Sequence, residues 1–276
     1  MPNLNSNSKL INLELIIFTV FDNRLIHGGI MQGKIALVTG GMGGIGTTIA
    51  QQLAQNGAIV VVTYHRNPNL AEQWQAEQKK LGYNFAIVQA DITSFDSSAA
   101  MVKNVTTQFG NIDILINNAG IIDDSSLAKM SLEQWNKVIN ADLNSLFNVT
   151  RHVISLMIEK KYGRIVNISS VNAQKGQFGQ SNYTAAKAGV HGFTKSLAYE
   201  VAKKGITVNT VSPGYAKTSM TDKITPEILV KIIEQIPVGR LAMPVEIANL
   251  VKFLVSESSA YITGANFAIN GGLHMC

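Results

Sequence analysis

KIALVTGGMGGIGTTIAQQLAQ, Lys34 to Gln55, joins an apolar run to a glycine-rich turn and then to a stretch with apolar residues at helical spacing. Lys34–Thr39 has the pattern of a strand buried on both faces. Ile49, Leu53 and Ala54 predict a helix over Ile45–Gln55. Glycines between a strand and a helix let the backbone approach a pyrophosphate, whose charge the helix N-terminus favours. The strand before and the helix after are the context that separates a dinucleotide site from an ordinary tight turn. Gly40, Met42, Gly43, Gly44, Ile45 and Gly46 are therefore candidate cofactor-binding residues.

The alternation continues outward. Strands are expected at Ala58–Tyr64, Asn84–Gln89, Ile112–Asn117, Gly163–Ile168, Thr207–Val211 and Asn266–Asn270. Helices are expected at Leu70–Leu81, Phe95–Phe109, Ser131–Lys160, Asn182–Lys204, and near Pro226–Gln235 and Val245–Ser256. Ser131, with Glu133 and Gln134 in the first turn behind it, reads as a cap for the long third helix of that series. Strand–helix repetition means βαβ units. Right-handed crossovers then give an α/β, Rossmann-like doubly wound parallel sheet with helices on both faces. No Pro/Gly/Ser linker divides it, so one domain is expected.

Residues 1–30 read differently. Leu10–Phe21 is apolar but holds Asn12 and Glu14, and it is shorter than the roughly 20 residues of a membrane span. Only Lys9 precedes the run, which is too little positive charge for a signal peptide. The expectation is an N-terminal extension over 1–30 and a domain over 31–276.

Composition narrows the function classes. Of 276 residues, 46% are hydrophobic and 15% charged, which excludes general disorder. A net charge of +5 is too small and scattered for nucleic-acid binding but suits small polyanionic ligands. Lys160, Lys161 and Arg164 read as a solvated helix end. The one Cys, Cys276, excludes an internal disulfide, a Cys zinc site and a Cys nucleophile inside the fold, and fits a reducing, cytoplasmic setting. His27, His65, His152, His191 and His274 show no paired ligand spacing, so no metal is expected. No Gly-x-Ser-x-Gly elbow is present.

Two further readings come from the residues. NAD sites place an acid at the end of the second strand to hold the ribose 2′-hydroxyl. Here the chain reads Tyr64-His65-Arg66-Asn67, and a guanidinium suits a 2′-phosphate, so NADPH is the expected cofactor. Tyr183 and Lys187 lie four apart at a helix start, on one face. A free phenol titrates near about 10, and a neighbouring ammonium lowers that value. Tyr183 could then give a proton to a carbonyl oxygen as hydride reaches the carbon. Ser169 and Ser170 follow the fifth strand, where a hydroxyl could bond the same oxygen.

These motifs together resemble the short-chain dehydrogenase/reductases. The matching residues are the TGxxxGxG turn from Thr39 to Gly46, Asn117-Asn118-Ala119-Gly120, Ser170 thirteen before Tyr183, Tyr183-x-x-x-Lys187, and Pro213-Gly214. The resemblance covers about Met31 to Met275 and implies a seven-stranded sheet and a homotetramer. It implies Tyr183 as acid, Ser170 as carbonyl polariser, and Lys187 as both cation and ribose ligand. It implies Asp91 and Ile92 beside the adenine, Asn117, Asn118, Ala119 and Gly120 along the cofactor, and Pro213, Gly214 and Thr218 by the nicotinamide. Within the family, Gly40–Gly46, Asn167–Tyr183, Thr207–Tyr215 and Asn270–Met275 resemble the acetoacetyl-CoA reductases of polyhydroxybutyrate synthesis. That likeness implies an acyl-CoA substrate path lined by Asp124, Gln177, Phe178, Gln180 and Tyr215. The 3-oxoacyl-[acyl-carrier-protein] reductases share most of these motifs and are the alternative. A non-catalytic NADP-binding module is a third reading.

One position departs from the family. Its fourth catalytic residue is the Asn of an Asn-Leu-x-x-x-Phe segment, which here reads Asp142-Leu143-Asn144-Ser145-Leu146-Phe147. An ionised Asp142 accepts hydrogen bonds but donates none. It could pair with Lys187, so weakened or pH-shifted activity is expected.

Overall fold

A computed structural model describes residues 30–219 and 221–275. The expectation for the N-terminal extension therefore lies outside the described residues but for Ile30, as do His27 and Cys276.

The seven strands are β1 (Ile35–Val38), β2 (Ile59–Tyr64), β3 (Ala86–Gln89), β4 (Ile114–Asn117), β5 (Gly163–Ile168), β6 (Ile206–Pro213) and β7 (Asn266–Ile269). They form one sheet in the order β3-β2-β1-β4-β5-β6-β7, with every pairing parallel. The helices are α1 (Gly44–Gln55), α2 (Pro68–Lys80), α3 (Phe95–Phe109), α4 (Leu132–Ile139), α5 (Ser145–Lys160), α6 (Asn172–Lys175), α7 (Ser181–Val201), α8 (Pro226–Glu234) and α9 (Pro244–Leu254).

β1 is central and buried throughout, so both faces must be apolar. Ala36 and Val38 face a core with Ile49 and Leu53 of α1 and Ile247, Val251 and Leu254 of α9. Ile35 and Leu37 face the opposite core, with Met101 and Val105 of α3, Val149 and Val153 of α5, and Ala198 of α7. Leu37 pairs with Val61 on one side and Leu115 on the other, so strand order reverses between β1 and β4. At such a switch point the loops leaving the strands' carboxyl ends splay apart and leave a crevice.

Three differences from the sequence expectations have physical causes. The long helix over Ser131–Lys160 is interrupted: α4 ends at Ile139 and a π-helical turn occupies Asn140–Asn144 before α5. Each extra residue turns the following side chains about 100° round the axis, and such turns frequently mark functional sites. Ser131 and Gln134 do form the reciprocal capping box at the start of α4. The second helix starts earlier than expected, at Pro68, with the Asn67 side chain accepting from Leu70 N. Arg164, expected in solvent, is buried in β5. Its guanidinium donates to the carbonyls of Gly163 and Gly205 and to Glu257 at 2.9, 3.2 and 3.1 Å. Lys160 pairs with buried Asp113 at 2.5 Å.

Candidate active site

The glycine turn closes over the end of β1. Gly40 has φ +60°, and a Cβ there would lie 2.8 Å from Ala119 Cα. A Cβ on Gly46 would lie 2.5 Å from the Gly40 carbonyl oxygen, so neither position admits a side chain without movement. α1 begins at Gly44 with no side-chain cap and no acid in its first turn. Its leading N–H groups thus keep the positive field that suits a phosphate. Met42 and Ile45 pack on the core beside it. Thr218 lies against Gly44, where an added Cβ would come within 2.7 Å of Thr218 Cγ2.

The loop after β4 is stapled to this turn. Thr39 Oγ1 accepts from Asn118 N and Ala119 N at 3.0 and 3.1 Å. Asn118 Nδ2 donates to the Thr39 and Gly40 carbonyls, both at 3.0 Å. The Asn117 side chain instead points into the protein, donating to Asn167 Oδ1 at 2.8 Å and Thr150 Oγ1 at 3.2 Å. Pro213 ends β6, and its carbonyl accepts from Val171 N, while Gly214 N donates to Ile269 O.

Beyond β2 and β3 lies a cavity of about 400 Å³ lined by His65, Arg66, Gln89, Ala90, Asp91 and Ser97. No acid stands at the end of β2. Asp91 comes from the β3 side, beside Ile92. Hydrogen bonds from Thr93 hold its carboxyl below the usual range, and His65 Nε2 lies 3.5 Å away.

Lys187 is only 4% exposed. Its ammonium donates to Ile168 O at 3.1 Å and stands 3.2 Å from Asp142 Oδ2. It lies 5.7 Å from the centre of the Tyr183 ring, one helical turn away on α7. Asp142, on the π turn, is fully buried and its Oδ1 accepts from Ile121 N at 2.8 Å. Oδ2 makes no well-aligned hydrogen bond and is held by the ion pair alone. Burial pushes the Asp142 carboxyl up, and the Lys187 ammonium offsets only part of that. Burial is the largest single influence and pushes Lys187 down, but the Asp142 carboxylate and the Tyr183 phenol together outweigh it and hold the ammonium above its ordinary range. Gly120 lets the backbone pass over this pair; a Cβ there would lie 2.7 Å from Asp142 Oδ2 and 3.1 Å from Lys187 Nζ.

The two serines after β5 part company. Ser169 turns inward and donates to Lys187 O at 2.8 Å. Ser170 Oγ accepts from Asn172 N at 3.1 Å, which leaves its proton free to donate elsewhere. Asn172, which the sequence did not single out, donates through Nδ2 to Gln180 Oε1, and Gln180 Nε2 donates to Asp124 Oδ2, both at 2.9 Å. Ser125 N donates to Gly179 O at 2.9 Å. These bonds join the Gln177–Gln180 loop to the loop after β4. Tyr215 is half-buried; burial, then the Asp124 charge, pushes its phenol up. Phe178 is 89% exposed, and Gln177 accepts from Lys175 at 3.0 Å.

A family profile described as Enoyl-(Acyl carrier protein) reductase matches residues 40–274. The chain is 53% identical over 243 residues to an acetoacetyl-CoA reductase of Allochromatium vinosum, covering 88% of this chain and 99% of that one. It is 52% identical over 245 residues to an acetoacetyl-CoA reductase of Cupriavidus necator, covering 89% and 100%. Against a 3-oxoacyl-[acyl-carrier-protein] reductase of Escherichia coli the identity is 45% over 244 residues, covering 88% and 98%.

Proposed function

Because the chain belongs to the short-chain dehydrogenase/reductase family, oxidoreductases that bind a nicotinamide cofactor and act on CH–OH groups, we propose that it reduces acetoacetyl-CoA to (3R)-3-hydroxybutyryl-CoA with NADPH, in polyhydroxybutyrate synthesis. The observation that carries this reading is the buried Lys187 ammonium 5.7 Å from the Tyr183 ring, against Gly120 of the loop that is stapled to the glycine turn.

The glycine turn fits a dinucleotide pyrophosphate, since the helix it leads into starts with no side-chain cap and no acid in its first turn, leaving its N–H groups for an anion. Bound NADPH supplies the hydride. Tyr183 donates its proton to the 3-oxo oxygen, which becomes the hydroxyl. Ser170 donates a hydrogen bond to that oxygen and polarises the carbonyl. Lys187 holds positive charge beside the phenol, stabilising the phenolate left after proton transfer. Arg66 faces the ribose 2′-phosphate in the cavity it shares with His65. Asp91 and Ile92 flank the adenine, Asn118, Ala119 and Gly120 run along the cofactor, and Pro213, Gly214 and Thr218 border the nicotinamide. Asn117 serves there through its backbone, since its side chain is engaged elsewhere. Asp124, Gln177, Phe178, Gln180 and Tyr215 line the acyl-pantetheine path, with Phe178 and Tyr215 offering apolar faces.

The higher identity to acetoacetyl-CoA reductases than to the carrier-protein enzyme supports a CoA substrate. Residues 31–276 form the catalytic unit, which works in the cytoplasm as a homotetramer. Exposed Phe95 and Phe147, whose rings stack 5.8 Å apart, support association. Among the described residues no helix is long and apolar enough to cross a membrane.

The test is direct. Purified protein is mixed with NADPH and acetoacetyl-CoA, and loss of the NADPH absorbance band is followed, with chiral analysis of the product. Oxidation of NADPH with (3R) product is expected. No oxidation rules the reading out, and higher kcat/KM with acetoacetyl-acyl-carrier protein replaces the substrate.

A further inference from the structure

His191 is a side chain near the site, bonded to two serines, that the mechanism does not use. It lies four residues after Lys187 on α7. Its Nε2 is 2.9 Å from Ser169 Oγ, at the end of β5, and 3.2 Å from Ser212 Oγ, in β6. Both serines are buried. Each hydroxyl carries one proton. Ser169 commits its proton to the Lys187 carbonyl at 2.8 Å, and Ser212 commits its own to Asn266 Oδ1 of β7 at 2.7 Å. Neither has a proton left for the imidazole, so Nε2 must be the donor to both.

We propose that His191, as the Nε2–H tautomer, is a positioning residue for the reaction: its forked N–H locks the helix carrying Tyr183 and Lys187 to the ends of β5 and β6, and so to Ser170. The inference rests on the reductase reading for its kinetic consequence. Burial, then the Lys195 charge, holds the imidazole pKa below the usual histidine value, which favours the neutral form. The Ser169 hydroxyl is the middle of the lock. It accepts from His191 and donates to the backbone of Lys187, so the axial position of α7 is set one residue from Ser170. Misplacing reacting groups by about 1 Å can cost about a hundredfold in rate.

Purified wild type and variants are compared for kcat, both KM values, and NADPH bound per chain. His191→Phe keeps a ring and loses the N–H. A kcat loss of at least about tenfold is expected, with KM values within about threefold and NADPH stoichiometry unchanged. His191→Gln places an amide N–H near Nε2 and is expected to recover kcat to within about threefold of wild type. Wild-type kcat in His191→Phe, or a Gln variant no better than Phe, overturns the proposal. If His191→Phe does not fold, Ser169→Ala removes the hydroxyl from the Lys187 carbonyl while leaving the imidazole. The same kcat loss supports the lock, and an unchanged kcat overturns it. Nitrogen NMR of the labelled histidine reads the tautomer without turnover: a proton on Nε2 supports the proposal and one on Nδ1 overturns it. Wild type that oxidises no NADPH sinks the reductase reading alone.

Discussion

Asp142 and Lys187 form a buried ion pair, Oδ2 to Nζ 3.2 Å, at a position where the short-chain dehydrogenase/reductases use a neutral asparagine. The π turn aims Asp142 at α7, and Gly120 leaves room for the contact. A carboxylate here tightens the hold on the ammonium and cancels part of its charge, the charge on which stabilising the Tyr183 phenolate depends.

Asp142→Asn is therefore expected to raise kcat at neutral pH by about three- to tenfold, well inside the 10²–10⁴-fold typical of general acid–base catalysis. The pH profile fixes the sign. Burial pushes Lys187 down, but Asp142 and Tyr183 together outweigh it and hold the ammonium above its ordinary range. Without the carboxylate burial is opposed by Tyr183 alone, the ammonium deprotonates earlier, and the alkaline limb moves to lower pH. The Asp142 carboxyl is itself raised by burial. It therefore protonates at a higher pH than an ordinary carboxyl, and the gap between wild type and variant narrows as pH falls. Superimposable kcat profiles for the two proteins would refute this.

On the proposed mechanism Tyr183→Phe removes the proton donor and little else, because among the described residues Tyr183 hydrogen-bonds through its backbone N–H and not through its phenol. The loss in kcat should be about 10²–10⁴-fold, the usual worth of a positioned acid. NADPH binding, followed by fluorescence titration, should weaken by less than about threefold. Substantial turnover in this variant would point to a different acid.

Thr39→Val probes the staple between the glycine turn and the loop after β4. Valine keeps the shape but takes the acceptor from two N–H groups, those of Asn118 and Ala119. An unpaired buried donor costs about 1–3 kcal/mol. Asn118 and Ala119 are only half-buried, so a loss of about 1–3 kcal/mol in denaturant unfolding is expected, with weaker NADPH binding, because the two halves of the cofactor crevice come apart. A change under about 0.5 kcal/mol would mean the loop is held by other contacts.

The sheet and its helices were legible because β1, β2 and β5 are apolar runs closed by turn residues, and Ile49/Leu53 and Ser131/Gln134 carry local signals. The site was legible where chemistry lies close in sequence, as in the glycine turn and the Tyr183–Lys187 pair. The π turn was not, since one extra residue inside Ser131–Lys160 leaves the apolar pattern helical on both sides. Ser169 and Ser170 look alike in sequence, and only the opposite facing of neighbouring residues leaving a strand sends one to His191 and the other to Asn172 N. Asn172 meets Gln180 through a loop closed at Gly176 and Gly179, both at positive φ. His191 shares the face of Tyr183 and Lys187, but its partners lie on β5 and β6, a contact that only the packed fold creates.

Cofactor choice turns on the cavity beyond β2. On the proposed reading, the end of β2 offers NADH no acid for its 2′-hydroxyl, Asp91 standing instead on the β3 side, while Arg66 and His65 offer positive groups to the 2′-phosphate of NADPH. Hydrogen bonds to charged groups contribute about 1.5–3 kcal/mol, which is roughly ten- to hundredfold in affinity. Arg66→Ala should therefore lower kcat/KM for NADPH by about ten- to hundredfold and leave NADH within about threefold. Because the site is open to solvent, added salt screens it, and the NADPH preference of the wild type should shrink as ionic strength rises. The paired assay with both cofactors, at low and high salt, checks all three outcomes. Equal losses with NADPH and NADH would show that Arg66 supports the pocket's shape and does not read the phosphate.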